Sequence, residues 1–184
     1  GSIFRSGNDI RITAQVVNAI TDEHLWGDSF DGRLDGILTL QREVALAIAK
    51  QMQVRVTPEE VERIESVEEV PPEIYERFLM TQAKSLEGSP ASITQAVGEL
   101  ASINMAAPNF AQAYVQRARV LYVGSIAGVW PCRDRLDEIR EAAQAAVRCA
   151  PEDGNANAAM GYAAMVARQW DASRDHFERA VELD

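Results

Sequence analysis

The sequence predicts a mainly α protein in which a small α/β segment, an antiparallel meander with one long helix, precedes an array of three helical hairpins. Three patterns carry this expectation: two-residue alternation of apolar side chains near the start, a three-to-four-residue period from Leu34 onward, and prolines that mark off units of similar length toward the end.

Ile10, Ile12, Ala14 and Val16 alternate with Arg11, Thr13 and Gln15, which gives one apolar and one polar face, as in a half-buried strand. Ile3–Arg5 before it, set off by the turn-forming Ser6-Gly7-Asn8-Asp9, and His24–Phe30 after it complete the meander. Ile37, Leu40 or Gln41, Val44, Ile48 and Met52 then recur at helical spacing, flanked by Leu34, Leu38, Ala45 and Ala49. This predicts a long amphipathic helix beginning near Leu34, capped with help from Asp31 and laid on the sheet. Thr57-Pro58-Glu59-Glu60 combines an N-cap, a proline at the first helical position and a capping-box glutamate, so a short helix to about Ile64 is expected. The acidic run Glu65–Glu69 and Pro71-Pro72 read as a linker. The chain thus divides into residues 1–56, 57–73 and 74–184.

From Ile74 no strand alternation recurs, and six helical stretches are separated by Gly88-Ser89-Pro90, Ala107-Pro108-Asn109, Gly124–Pro131, Pro151–Gly154 and Arg168-Gln169. Pro108 and Pro151 taken as equivalent points give units at 74–107, 108–150 and 151–184. The last is 34 residues long and the middle one 43, and the nine extra residues are expected in the Gly124–Pro131 connection.

Of the 184 residues, 47% are hydrophobic and 25% charged, which is ordinary for a globular protein with a buried core. The formal net charge of −10 is uneven, with more than half of it in residues 57–73, so it reads as a solvated linker. A nucleic-acid grip, which needs clustered basic side chains, is not expected. The apolar run from Leu34 to Val56 is interrupted by Asp35, Arg42, Glu43 and Lys50, and no membrane span or signal peptide is read; a cytoplasmic location is expected. Cys132 and Cys149 lack a CxxC, and His24 and His176 are the only histidines, so the cysteines are expected to be reduced and no zinc site is expected.

The last unit carries Asn155-Ala156-Asn157-Ala158-Ala159-Met160-Gly161-Tyr162, then Gln169-Trp170-Asp171-Ala172, then Phe177-Glu178-Arg179-Ala180-Val181-Glu182-Leu183-Asp184, and this series resembles a tetratricopeptide repeat. Gly161 would let two helices approach closely, Trp170 would pack at the turn, and Phe177 and Ala180 would face the first helix. In the middle unit Tyr114, Ala118, Leu121, Ala146 and Pro151 occupy matching positions; in the first, Ala96, Leu100 and Pro108 match, while Thr81 stands where the family has a small residue. The amino-terminal Gly1-Ser2-Ile3-Phe4-Arg5-Ser6-Gly7, Arg11-Ile12-Thr13-Ala14-Gln15-Val16-Val17, Glu23-His24-Leu25-Trp26 and Leu40-Gln41-Arg42-Glu43-Val44 are similar to the closing part of a TolB-like amino-terminal domain. In bacteria that domain commonly precedes tetratricopeptide repeats in class III adenylate or guanylate cyclases and in winged-helix transcriptional regulators.

The resemblance implies an α-solenoid whose concave face, lined by the first helix of each hairpin, binds a protein or peptide. Its groove positions fall on Gln112, Val115, Arg119 and Tyr122 in the middle unit and on Asn155, Ala158, Tyr162 and Met165 in the last. Trp130, on the glycine-flanked connection, is the expected exposed loop contact. The implied role is a regulatory interaction module of a larger signalling protein, an adenylate cyclase first; the alternatives are a dimerisation or spacer module of a winged-helix regulator, with homo-oligomers, and a small-molecule sensor in the α/β part. No catalytic, cofactor or metal residue is expected. No Walker A, GxGxxG or GxSxG segment occurs, and the metal-binding aspartates of a nucleotidyl cyclase have no counterpart. Asp28, Asp31 and Asp35 lack the ligand order of a calcium loop.

Overall fold

The computed structural model describes residues 1–52 and 70–183. The helix expected from Thr57 and the acidic run Glu65–Glu69 lie outside the described residues. Two compact units are present, Gly1–Pro72 and Glu73–Asp184.

The first unit is a three-stranded antiparallel sheet of β1 (Ser2–Ser6), β2 (Asp9–Val17) and β3 (His24–Arg33), in the order β1-β2-β3. Gly7, at φ 63, occupies the left-handed region that the β1–β2 turn requires and that glycine enters without steric cost. Asn18 opens the β2–β3 turn by accepting the amide of Ile20 at 2.9 Å. After a 3-10 turn at Leu34–Gly36, helix α1 (Ile37–Gln51) lies against β2 and β3. Leu40, 3% exposed, reaches into the space left by Gly32, where an added Cβ would stand 3.0 Å from its Cδ2. Ile10 and Ala14 are buried on the same sheet, as their alternation predicts. Met52, expected on the apolar stripe, lies just past α1 and is exposed.

Asp31 does not cap the helix. Its register partner across the sheet is Arg11, whose Nε donates to Oδ1 at 2.6 Å and whose second guanidinium nitrogen donates to Oδ2 at 2.9 Å. A bidentate guanidinium offers the carboxylate two donors at once, whereas α1 starts at Gly36 with no side-chain cap.

The second unit consists of six helices: α2 (Pro72–Ser85), α3 (Pro90–Ala106), α4 (Ala111–Ile126), α5 (Cys132–Cys149), α6 (Gly154–Val166) and α7 (Trp170–Leu183). The breaks, at 86–89, 107–110, 127–131, 150–153 and 167–169, overlap the predicted stretches. Ser89 caps α3, accepting from the Ser92 amide at 3.1 Å, with Pro90 next in line where its missing N–H costs nothing. Asp153 caps α6 in the same way, accepting from the Ala156 amide at 2.9 Å. The core runs through Ile93, Leu100, Ile103, Leu121 and Ile139, each fully buried, together with the alanines Ala113, Ala118, Ala143 and Ala146.

The nine extra residues of the middle unit are mostly helical. Helices α4 and α5 have 16 and 18 residues against 13 and 14 in α6 and α7, so only two of the nine lengthen the turn. Gly124 therefore lies inside α4, where glycine costs about 1 kcal/mol relative to alanine. The compensation is tertiary: the Trp130 ring occupies the space, and an added Cβ at Gly124 would fall 2.2 Å from its Cζ2.

Helix pairs α4–α5 and α6–α7 bring their backbones close. Thr81, buried on α2, stands where Gly161 stands in α6, and its hydroxyl is turned back onto the Arg77 carbonyl at 2.7 Å. Arg77, one turn earlier, donates to Glu99 at 2.8 Å and Ser102 at 2.9 Å on α3.

Candidate functional site

Helices α2, α4 and α6, the first of each hairpin, line a groove of about 330 Å³. Helix α4 contributes Gln112, Val115, Gln116 and Arg119, spaced three or four apart and hence on one face. Helix α6 contributes Asn155, Ala158 and Tyr162 on the same principle, with the cap residue Asp153 at its mouth. Helix α2 supplies Tyr75, Phe78, Leu79 and Gln82.

Six of the eight residues expected from the sequence are thus brought together: Gln112, Val115, Arg119, Asn155, Ala158 and Tyr162. The other two continue from one end. The Tyr122 ring stacks on Tyr162 at 4.8 Å and 14°, and its hydroxyl donates to Met165 Sδ at 3.3 Å. Tyr162 in turn meets the edge of Phe177 at 5.4 Å. One aromatic layer therefore runs from the core of the last hairpin to the groove wall, and it holds Tyr162 in place.

The α2 wall was missed by sequence reasoning. Its signal is present, since Tyr75, Phe78 or Leu79, and Gln82 follow helical spacing. The register could not be anchored because Thr81 takes the position of the small residue on which the other hairpins align. Tyr75 and Phe78 are buried and pack on Phe110, Phe78 edge-on at 4.9 Å, so the inner part of this wall is rigid core. Gln116, also buried, donates to the Ser85 hydroxyl at 3.2 Å and ties α4 to the end of α2.

The charges in the groove are few. Arg119 is exposed and, among the described residues, makes no ion pair. Asp153 has Oδ1 engaged at the start of α6, where the helix dipole favours a negative charge.

Trp130 is half-buried and so does not serve as an exposed loop contact. Its indole N–H is shared between the Leu121 carbonyl at 3.3 Å and the Ser125 hydroxyl at 3.2 Å, and the Arg135 guanidinium lies over its ring, 5.3 Å from the centroid. A tryptophan on a short turn reaches back to the helix it has just left when a glycine there opens a slot. The exposed tryptophan is Trp170, at 64%. Tyr114, on the other side of α4, has its hydroxyl pushed above its ordinary pKa, first by burial and then by the nearby Cys149. Cys132 and Cys149 are both free thiols. Among the described residues no three His, Cys, Asp or Glu side chains are grouped to hold a metal ion, and no helix is long and apolar enough to cross a membrane.

No protein-family model matches the chain. It is 35% identical over 96 residues to a Rhizobium meliloti (strain 1021) protein named "Putative adenylate cyclase 3", the match covering 52% of this chain and 16% of that protein. The chain spans about a sixth of the curated relative it matches.

Proposed function

We propose that the six helices of residues 73–183 form three tetratricopeptide-type hairpins whose groove binds a protein segment, and that the chain is a regulatory interaction module of a larger bacterial signalling protein. The observation that carries this is the groove itself. Each hairpin contributes its first helix, and those helices present aromatic rings, amides and one cation beside the apolar Leu79, Val115 and Ala158. Such a surface suits an extended or helical peptide that fits by shape and a handful of polar contacts. The similarity to a protein named as an adenylate cyclase supports the further reading that the parent is a nucleotidyl cyclase and that this part governs it without catalysing. The α/β segment, in this reading, is the end of a TolB-like domain.

The test is direct. Ala158 lies half-buried on the groove floor, so Ala158→Arg fills the groove without touching the fully buried core. Peptides selected by display against the chain are expected to lose at least about tenfold in affinity to this variant, while its circular dichroism and urea midpoint stay unchanged. Selected peptides that bind Ala158→Arg as well as the parent chain would place the contact elsewhere and refute the groove assignment.

A further inference from the structure

Resting on the reading of the groove as a peptide site, we propose that it selects an extended segment bearing an internal acidic side chain, and that Arg119 takes that carboxylate. The argument starts from charge. Seven arginines of this unit are already matched: Arg77 with Glu99, Arg117 and Arg135 with Glu138, Arg133 with Asp134, Arg140 with Asp137, Arg174 with Asp171, and Arg179 with Glu182, while Arg148 and Arg168, which make no ion pair among the described residues, do not line the groove. Arg119 is the single cation among the groove residues, is exposed, and has no ion-pair partner among the described residues of a chain whose formal charge is −10. The groove's one anion, Asp153, is engaged by the Ala156 amide. A guanidinium in that position offers two parallel donors, the geometry that a carboxylate accepts best.

The groove lining also holds Gln82 of α2, Gln112 of α4 and Asn155 of α6, beside the buried Gln116, whose amide is already given to Ser85. A carboxamide both donates and accepts, which matches the N–H and C=O that every residue of an extended backbone presents. The groove is lined by the side-by-side first helices and the cap of α6, and none of its lining residues comes from α3, α5 or α7 to stand across the path of a chain. That favours a side-chain carboxylate in mid-segment over a chain terminus.

The experiment uses randomised eight-residue peptide pools, acetylated and amidated at their ends, with Glu, Gln or Lys fixed at a central position, and reads anisotropy against the full chain. The Glu pool is expected to bind about tenfold tighter than the Gln pool at low salt, with the margin shrinking at about 0.5 M salt. Arg119→Ala, on an exposed side chain, should reduce the margin below about twofold, and Arg119→Lys should restore part of it. Greater affinity for a Gln pool with free carboxyl termini than for the capped Glu pool would overturn the side-chain assignment in favour of a terminus. Equal binding of all three capped pools would overturn the proposal and leave the peptide groove standing. Absence of binding by every pool would overturn both.

Discussion

Replacing Gly161 tests whether the last hairpin closes on a missing side chain. An alanine Cβ built at Gly161 would lie 2.7, 2.8 and 2.9 Å from Cε1, Cζ and Cδ1 of Phe177, closer than real carbon atoms approach, so the ring must move. It has little freedom, because its face or edge is held by Tyr162 at 5.4 Å and the two backbones are tied by the Ser173 hydroxyl, which donates to the Gly161 carbonyl at 3.0 Å. Two effects compete in Gly161→Ala. Helix propensity favours alanine by about 1 kcal/mol, while overpacking a closed contact costs about 1–3 kcal/mol. The expected net result is a loss of about 0–2 kcal/mol. Gly161→Leu adds three more carbons against the same ring, and the loss rises to about 2–4 kcal/mol. Urea melts followed at 222 nm provide the measure, with Gly161→Ala repeated on a Phe177→Leu background, where the clash is relieved and the alanine should be at worst neutral. A stabilisation of Gly161→Ala by the full propensity increment, or a change below about 0.5 kcal/mol in Gly161→Leu, would show that Phe177 is not seated on Gly161.

Three further outcomes are expected. Gly124→Ala should destabilise the middle hairpin by about 1–3 kcal/mol and shift Trp130 emission to the red, since the indole cannot stay where the new methyl stands; a melt equal to the parent's would refute the slot. Acrylamide should quench Trp170 well before Trp130, as comparison of Trp170→Phe with Trp130→Phe would reveal; equal accessibility would contradict the half-buried indole. Asp31 is held below its ordinary carboxylate pKa mainly by the hydrogen bond from Arg11, so what the pair adds to stability is present above about pH 4 and is lost as pH falls through the lowered value. Carbon-13 titration of the whole chain should find Asp31 titrating late on acidification and returning to the ordinary range in Arg11→Ala; an unchanged Asp31 titration would contradict the pair.

What the sequence made legible was whatever leaves a local or periodic trace. Strand β2 announced itself by alternation, and the helix breaks by Gly, Pro and cap residues whose backbone effects act within a few positions. The α4 and α6 groove residues followed because Pro108 and Pro151 put two units in register, and helical geometry then fixed which side chains share a face. The α2 wall lacked such an anchor once Thr81 replaced a small residue. Trp130 and Asp31 failed for a different reason. Each side chain had a plausible neighbour in sequence, a glycine-flanked connection for one and a helix start for the other, but its partner in space lay elsewhere. Trp130 folded back onto Leu121 and Ser125, and Asp31 met Arg11 across the sheet. Partners of that kind are set by tertiary packing and strand register, which no window of sequence reports.

The seating of Trp130 on Gly124 also constrains how this hairpin can change over generations. A side chain gained at 124 is tolerated only once the indole has gone, and an indole lost at 130 leaves a hole beside a residue that has nothing with which to fill it. Each single step is therefore unfavourable where the paired step is not, and the two positions should drift as one heritable unit. The same holds between Gly161 and Phe177. These two seatings of an aromatic ring on a glycine are thus inherited as couples, while the exposed groove residues Gln112, Arg119 and Asn155 stay free to vary one at a time and retune what is bound.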